Sequence, residues 1–254
     1  IQVAALADEE ARSEDGLDYG LEYLLEQGHI HADLAIVPDI GHRMRRISVA
    51  EKGIAHMEVR CTGKKAHGSR PDLGVNAIDG MAEFLTRLRQ HPFRHERHPV
   101  LGGYTLNTGQ IHGGDAPNMV PDRCTAVLDF RLVPGMSPQT VQAEMEALAE
   151  DLAPVFSFQT KAYMPPTEVA PDSELVRTIQ RVTREVAGFT PEILGMGGGT
   201  YAKFLIQHGI EAGGFSTGDE SAMHLPDEYA SINEHLDFIQ VIANVAVTLT
   251  GDPE

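Results

Sequence analysis

Cysteine is scarce in this sequence, which contains only Cys61 and Cys124 among its 254 residues. Two isolated cysteines are too few for a disulfide framework or for a cysteine-based zinc site. Both lie in apolar stretches with a strand-like pattern, which predicts that they are buried. We therefore expect two reduced thiols, as is typical of a cytoplasmic protein.

Basic residues are also few, since 20 Lys and Arg stand against 37 Asp and Glu, giving a formal net charge of −17. A chain this acidic repels phosphate backbones, which argues against nucleic acid as a partner. No run of apolar residues is long enough to span a bilayer, which argues against a membrane protein. The excess of carboxylates is compatible with metal binding, because divalent cations take oxygen ligands.

The sequence has no initiator Met and no polar lead-in, because it opens directly on the apolar run IQVAALA. This run predicts a buried parallel strand that begins at the first residue. A buried strand needs neighbours on both sides. We therefore expect the complete protein to contain a preceding segment that pairs with it.

Three segments with different patterns follow one another along the chain. Residues 1–51 have the pattern strand, helix, strand, which predicts a parallel sheet. Residues 52–164 have the order β-α-β-β-α-β of the ferredoxin-like split motif, with a helix starting at Ser137-Pro138. Residues 165–254 return to alternating helices and strands. The sequence therefore predicts an α/β domain with a parallel sheet, interrupted by an inserted α+β domain.

Acidic residues follow two of the predicted strands. Asp8, Glu9 and Glu10 come at the end of the opening strand, and Asp39 follows the next apolar stretch. Sites in open parallel sheets form beyond the carboxyl ends of the strands, where a divalent metal would offset the repulsion between acids. Two simpler interpretations stay open: the three acids complement a helix N-terminus, and Asp39 caps a turn.

Two loops in the last segment carry further candidates. His224 follows an apolar strand and a neutral imidazole is a good zinc ligand, although most of the twelve histidines should be structural or exposed. The glycine-rich loop Gly197–Thr200 precedes a helix and offers backbone N–H groups to an anion. It lacks the lysine and serine of a phosphate-binding loop, so a substrate carboxylate matches better, with a simple tight turn as the alternative.

Three more candidates lie in the inserted domain. His67 is an isolated histidine in a loop, Asn118 lies in a turn rich in proline and glycine, and Arg131 ends a predicted strand. A guanidinium can hold a carboxylate through two hydrogen bonds. A surface salt bridge is the alternative for Arg131.

Six stretches, taken in order, resemble one family of zinc-dependent amide hydrolases. It includes glutamate carboxypeptidases, acetylornithine deacetylase, succinyl-diaminopimelate desuccinylase, aminoacylase and carnosinase-like dipeptidases. Each stretch alone is a weak signal, but six in the same order are specific, and they cover essentially the whole chain. They are ALADEE, AIVPD, GKKAHGSRPDLGVNAI, GGDAPNMVPD with LDFR, GMGGGTYAKF and MHLPDEY.

The resemblance implies a role for each candidate. Glu9 is similar to the general base that activates water, and His67 to a histidine that stabilises the oxyanion in the partner subunit's site. Glu10 and His224 resemble ligands of one zinc, and Asp39 resembles a ligand of the other. The implied substrate contacts are Asn118, Arg131, Gly199 and Thr200, with Arg131 on the terminal carboxylate.

The resemblance also implies an architecture and a reaction. Residues 1–51 and 165–254 would form a catalytic domain, and residues 52–164 a lid through which two subunits form a homodimer. Two zinc ions per complete subunit are implied, with cobalt or manganese as substitutes. The implied reaction is hydrolysis of an amide bond in a dipeptide or N-acyl amino acid with a free carboxylate. Tyr201, where many deacylases carry Asp, favours the dipeptidase branch.

One departure from the family pattern concerns the metal site. The family also uses a histidine and a bridging aspartate that would both lie upstream of Ile1. We therefore expect this chain alone to bind zinc weakly, if at all, and to be inactive. The competing hypothesis is a non-catalytic dimerisation or binding protein with a degenerate or incomplete metal site.

Overall fold

A computed structural model describes residues 1–6, 19–223 and 225–251 of the chain. It divides into two compact units, a first unit of Ile1–Glu51 with Thr167–Glu254 and a second unit of Lys52–Pro166. The helices are α1 (Tyr19–Glu26), α2 (Ala77–Gln90), α3 (Pro138–Ala149), α4 (Glu174–Ala187), α5 (Tyr201–Gln207) and α6 (Ile232–Leu249). The strands are β1 (Leu34–Val37), β2 (Arg46–Glu51), β3 (Gly53–Thr62), β4 (Ala66–His67), β5 (Thr105–Gly113), β6 (Met119–Val120), β7 (Arg123–Leu132), β8 (Val155–Met164), β9 (Thr167–Glu168), β10 (Glu192–Met196) and β11 (Glu211–Gly214). Of the helices in these ranges, none has the length and apolar character that a membrane crossing requires.

The first unit is built on a sheet with the strand order β1-β11-β2-β10, in which β9 also pairs with β2. β1 runs parallel to β11 and β2 runs parallel to β10, as the predicted α/β class requires. β2 is antiparallel to β11, so the sheet as a whole is mixed. The core beside β1 and β11 contains residues from both strands, from α1 and α5, and from the turn before β11: Leu21, Val37, Ala202, Leu205, Ile210 and Ala212.

The predicted opening strand is wrong for residues 1–6, which lie in irregular backbone. Ile1 is 88% exposed and Val3 is 93% exposed. A strand needs a neighbour that accepts and donates backbone hydrogen bonds, and no described strand pairs with these residues. Instead the side chain of Gln2 bonds to the backbone of His29 and His31.

The second unit has the predicted β-α-β-β-α-β order in β3, α2, β5, β7, α3 and β8. Its sheet is antiparallel with the order β5-β7-β3-β8, which is the arrangement of the ferredoxin-like motif. The predicted start of α3 is confirmed, because Ser137 caps the helix and Pro138 is its first residue. The capping Ser hydroxyl accepts the N–H of Thr140, which satisfies one of the free donors at the helix start.

The two cysteines face each other in this sheet, Cys61 on β3 opposite Cys124 on β7. Both are free and buried, as the sequence predicted. Burial, helped by the charge of Cys124, raises the pKa of Cys61 to about 11. The thiolate is the reactive form, so both residues should be poor nucleophiles in the folded protein.

We therefore expect the native protein to react with an aromatic disulfide reagent at pH 7 at least about a hundredfold more slowly than the urea-unfolded protein, because a high pKa and burial both suppress the thiolate. The time course of thiol release measures both rates. Two thiols that react within seconds in the folded protein would contradict this burial.

Candidate active site

Asp39 lies in an exposed turn directly after β1. Its backbone N–H donates to the Val37 carbonyl at 2.9 Å. On the neighbouring strand Gly214 is in register with Val37, and the N–H of Phe215 donates to the Val37 carbonyl at 3.0 Å. The carboxyl ends of parallel strands meet at one edge of a sheet. The Asp39 turn and the loop that leads from β11 towards His224 therefore start side by side.

Glu9, Glu10 and His224, the other members of the predicted metal and base set, lie outside the described residues. Within the ranges that the structure describes, no group of three or more His, Cys, Asp or Glu side chains is placed so that it could hold a metal ion. Asp39 is thus the one predicted ligand with a described position, and the complete ligand set stays a prediction.

A buried ion pair holds the glycine-rich loop of the first unit. Glu51 at the end of β2 is 3% exposed, and Lys203 in α5 is fully buried with its Nζ 3.7 Å from Glu51 Oε2. Thr200 donates to the same carboxylate twice, from Oγ1 at 2.6 Å and from its backbone N–H at 3.1 Å. Burial raises the pKa of Glu51, and the bonds from Thr200 and the charge of Lys203 oppose that rise. The negative charge of Asp39 raises it further.

The predicted substrate contacts Gly199 and Thr200 adjoin this ion pair. The hydroxyl and the N–H of Thr200 both donate hydrogen bonds to Glu51. The anion bound at the start of α5 is therefore the Glu51 carboxylate of the protein itself. A Cβ added to Gly199 would lie 2.9 Å from Lys203 Cε, so a side chain here would have to displace the end of the buried Lys203. The structure thus gives Thr200 an anchoring role, and direct substrate contact by these two residues stays a prediction.

In the second unit the structure brings His67 and Asn118 together. β4 pairs with β6 so that His67 lies opposite Met119, and the N–H of Gly68 donates to the Asn118 carbonyl at 2.7 Å. A Cβ on Gly68 would lie 2.9 Å from the Asn118 backbone, so glycine permits this close approach. Both predicted functional side chains are exposed. Lys65 supports the pair by bonding to Asp115 at 2.8 Å, which ties the two loops together.

The imidazole of His67 is oriented by Ser69. The backbone N–H of Ser69 donates to His67 Nδ1 at 3.2 Å, and its Oγ lies 2.8 Å from the same nitrogen. A backbone N–H can only donate, so Nδ1 is the acceptor of the neutral ring and Nε2 carries the proton. An exposed Nε2–H is the donor that an oxyanion would require.

Arg131 lies at the other end of the second unit's sheet. On β7 it is eight residues beyond Arg123, which is roughly 26 Å along a strand. Its Nη2 donates to Asp129 Oδ2 at 3.0 Å and its Nε lies 3.0 Å from Oδ1 of the same carboxylate. Arg131 therefore forms a salt bridge with Asp129, which was the alternative that the sequence left open. Within one chain, the structure does not bring Arg131 close to His67 and Asn118.

Sequence reasoning missed Glu51, Lys203 and Arg43. Glu51 and Lys203 are about 150 positions apart and each resembles an ordinary exposed charge, so only the fold joins them. One available signal was that Glu51 ends an apolar stretch, as Asp39 does. Arg43 has a backbone conformation that glycine favours, although the glycine of its loop, Gly41, lies two positions earlier and does not mark it.

Residues 49–156 match the peptidase dimerisation domain of the M20 family. An acetylornithine deacetylase from Myxococcus xanthus is 32% identical over 262 residues, which cover 99% of this chain and 65% of that protein. The chain is related to the M20 peptidases. The resemblance predicted from the six sequence stretches is thereby confirmed.

Two solved enzyme structures share the fold of this chain. Aminopeptidase PepT from Bacillus cereus matches with a TM-score of 0.75 at 21% sequence identity. The match covers 94% of this chain and 62% of the PepT chain. The M20 family metallo-carboxypeptidase Sso-CP2 from Sulfolobus solfataricus matches with a TM-score of 0.67 at 18% sequence identity. The match covers 89% of this chain and 65% of the Sso-CP2 chain. The predicted α/β class with an inserted domain is confirmed. The chain spans just under two thirds of the length of these proteins.

Proposed function

We propose that the protein hydrolyses an amide bond in a small carboxylate-bearing substrate with the help of a bound divalent metal. The observation that carries this proposal is the placement of Asp39 at the carboxyl end of β1, directly beside the parallel strand whose loop leads to His224. Sites of α/β sheets form at this edge. The relationship to M20 metallohydrolases supports the same reaction class.

The donor chemistry around Asp39 fits a divalent metal. Asp39 is an exposed carboxylate at this edge of the sheet, and carboxylate oxygens are ligands that divalent metals take. We propose Asp39, Glu10 and His224 as ligands and zinc as the metal, two ions per complete subunit, with cobalt or manganese as substitutes. When bound, zinc supplies a Lewis acid for the scissile carbonyl and for water.

The remaining roles belong to this chain's own side chains. Glu9 takes a proton from the attacking water as general base. His67 donates its Nε2–H to the oxyanion, an assignment that the Ser69 contact to Nδ1 supports. Asn118 lies beside it and contacts the substrate. Arg131 holds the substrate carboxylate, which would have to compete with Asp129 for the guanidinium.

A homodimer through the second unit explains why His67 and Arg131 lie far apart. An extended dipeptide spans about 7 Å, whereas the two residues are separated by most of the length of β7. One second unit therefore cannot place both on the same small substrate. Two copies related by a twofold axis can, with His67 from one and Arg131 from the other. The matched peptidase dimerisation domain supports this arrangement.

The substrate class is a dipeptide or an N-acyl amino acid with a free carboxylate. Relatives named acetylornithine deacetylase support the N-acyl amino acid, and a fold similar to human carnosine dipeptidase 1, with a TM-score of 0.62, is compatible with a dipeptide. The two reduced, buried thiols support a cytoplasmic protein. The alternative, a dimerising binding protein without catalysis, rests on the matched dimerisation domain alone.

The test uses the complete reading frame that contains this chain, purified with zinc and assayed on dipeptides and N-acetyl amino acids. We expect metal-dependent hydrolysis, and Asp39→Asn should weaken zinc binding at least about tenfold because a charged ligand is lost. Asp33→Asn is the matched control, since Asp33 is exposed just before the same strand, at its opposite end.

Zinc affinity is measured by competition with a chelator, and hydrolysis by release of the free amine. A wild-type protein that dimerises but neither binds zinc nor hydrolyses any of these substrates would support the binding-protein alternative. Equal zinc affinity in wild type and Asp39→Asn would exclude Asp39 as a ligand.

A further inference from the structure

The segment that follows Asp39 has an unusual backbone. His42, Arg43 and Met44 have φ angles of 46°, 58° and 62°, so three consecutive residues with side chains are in the left-handed region. Such residues are disfavoured there because the Cβ crowds the carbonyl oxygen. We call Gly41–Met44 the left-handed turn. Strain of this kind persists only where the surrounding structure enforces it, and it clusters at functional sites.

The loop after β11 enforces the left-handed turn through its backbone. The N–H of Met44 donates to the Ser216 carbonyl at 2.8 Å, and the N–H of Arg43 donates to the Gly218 carbonyl at 2.9 Å. The N–H of Gly41 donates to Glu220 Oε1 at 3.1 Å. A Cβ on Gly41 would lie 2.1 Å from the Ser216 carbonyl oxygen, so the two segments are in direct backbone contact.

The side chain of Arg43 adds a second link between the same segments. Its Nη2 donates to Asp219 Oδ2 at 3.0 Å, and its Nη1 lies 3.8 Å from Glu234 on α6. Asp219 in turn accepts both the N–H and the hydroxyl of Ser221, at 3.0 Å and 2.6 Å. Arg43 thus connects the turn after Asp39 to the short 3-10 turn Glu220–Ala222, which lies just before His224.

We infer that the left-handed turn and Arg43 are positioning elements that hold the Asp39 loop against the loop leading to His224. This inference rests on the proposed metal site, since both loops carry proposed ligands. Neither Arg43 nor Gly41 is itself a ligand. They fix the distance between the two loops. The pairing of β1 with β11 brings these loops together only where each loop leaves its strand.

The test measures cobalt affinity by competition with a chelator in the complete protein. Arg43→Ala should weaken cobalt binding about tenfold, the low end of the effect of residues that orient ligands. Arg43→Lys keeps the charge but lacks the paired N–H donors of the guanidinium. Its cobalt affinity should therefore lie between that of Arg43→Ala and that of the wild type. Arg181→Ala is the matched control, because Arg181 forms a comparable exposed ion pair with Glu185 away from both loops.

A second readout needs no metal. In the metal-free protein, Arg43→Ala should speed amide hydrogen exchange in residues 216–223 relative to Arg181→Ala. Unchanged exchange together with cobalt affinity equal to that of Arg181→Ala would overturn the positioning role. Asp39→Asn separates the two hypotheses. If it weakens cobalt binding and Arg43→Ala does not, the metal site stands and this inference fails; if neither variant weakens it, the metal site fails as well.

Discussion

Replacing His67 with Ala in the complete protein should lower kcat about a hundredfold to a thousandfold, as the loss of an oxyanion donor does in other hydrolases. KM should change much less, because the donor acts on the charge that develops in the transition state. His67 is exposed and packs into no core, so the variant should fold normally. The contacts of Ser69 to Nδ1 leave Nε2 as the protonated nitrogen, which is the donor proposed for this role.

Mixing two inactive variants tests which subunit supplies His67. Arg131→Ala alone should also be poorly active, because the substrate carboxylate loses its cation. A mixed dimer of His67→Ala and Arg131→Ala subunits contains one site with both residues intact if each site takes them from different subunits. Subunits exchanged at equal amounts should then recover roughly a quarter of wild-type activity, as expected for a twofold dimer.

The outcome differs clearly if both residues of a site come from the same subunit. Every site in the mixed dimer would then carry one of the two substitutions, and activity would stay at the level of the separate variants. That result would contradict the arrangement deduced from the length of β7.

Replacing Glu51 with Gln should destabilise the first unit by about 3–5 kcal/mol, the typical result of removing one partner of a buried ion pair. Lys203 is fully buried and would lose the carboxylate that lies 3.7 Å from its Nζ. Gln has the size of Glu and can still accept one of the two bonds from Thr200, so the effect reports the lost charge together with one lost hydrogen bond. Urea unfolding followed by circular dichroism measures the change.

Two controls separate charge from packing. The double variant Glu51→Gln with Lys203→Met should recover a large part of the stability, since it removes the buried cation together with its partner. Glu185→Gln removes an exposed carboxylate that pairs with Arg181 one helical turn away. This substitution should destabilise the protein much less. A Glu51→Gln protein as stable as Glu185→Gln would contradict the structural importance of the buried pair.

Local sequence signals predicted most of the secondary structure but not the polar contacts that join distant segments. Ser137-Pro138 located the start of α3, because a helix cap is a signal that acts within a few residues. β2 was missed because its apolar centre is short and bounded by Arg46 and Glu51. The opening strand was predicted from composition alone, which cannot supply the neighbouring strand that it would need.

In the candidate site, too, the sequence predicted local motifs but not the contacts between distant segments. The motif containing His67 and the turn containing Asn118 were identified, and the pairing of β4 with β6 brings them together. The left-handed turn was not foreseen, because no glycine marks the positions of His42, Arg43 and Met44. Tertiary contacts with residues 216–220 determine that conformation, and a single sequence carries no signal for them.

The most direct test of the proposed metal site is a crystal structure of the complete protein grown with zinc, with diffraction data collected at the zinc absorption edge. We expect an anomalous peak about 2.0–2.2 Å from a carboxylate oxygen of Asp39, the usual zinc–oxygen distance. A well-ordered Asp39 carboxylate with no zinc near it, or zinc bound only at other residues, would contradict the proposed site.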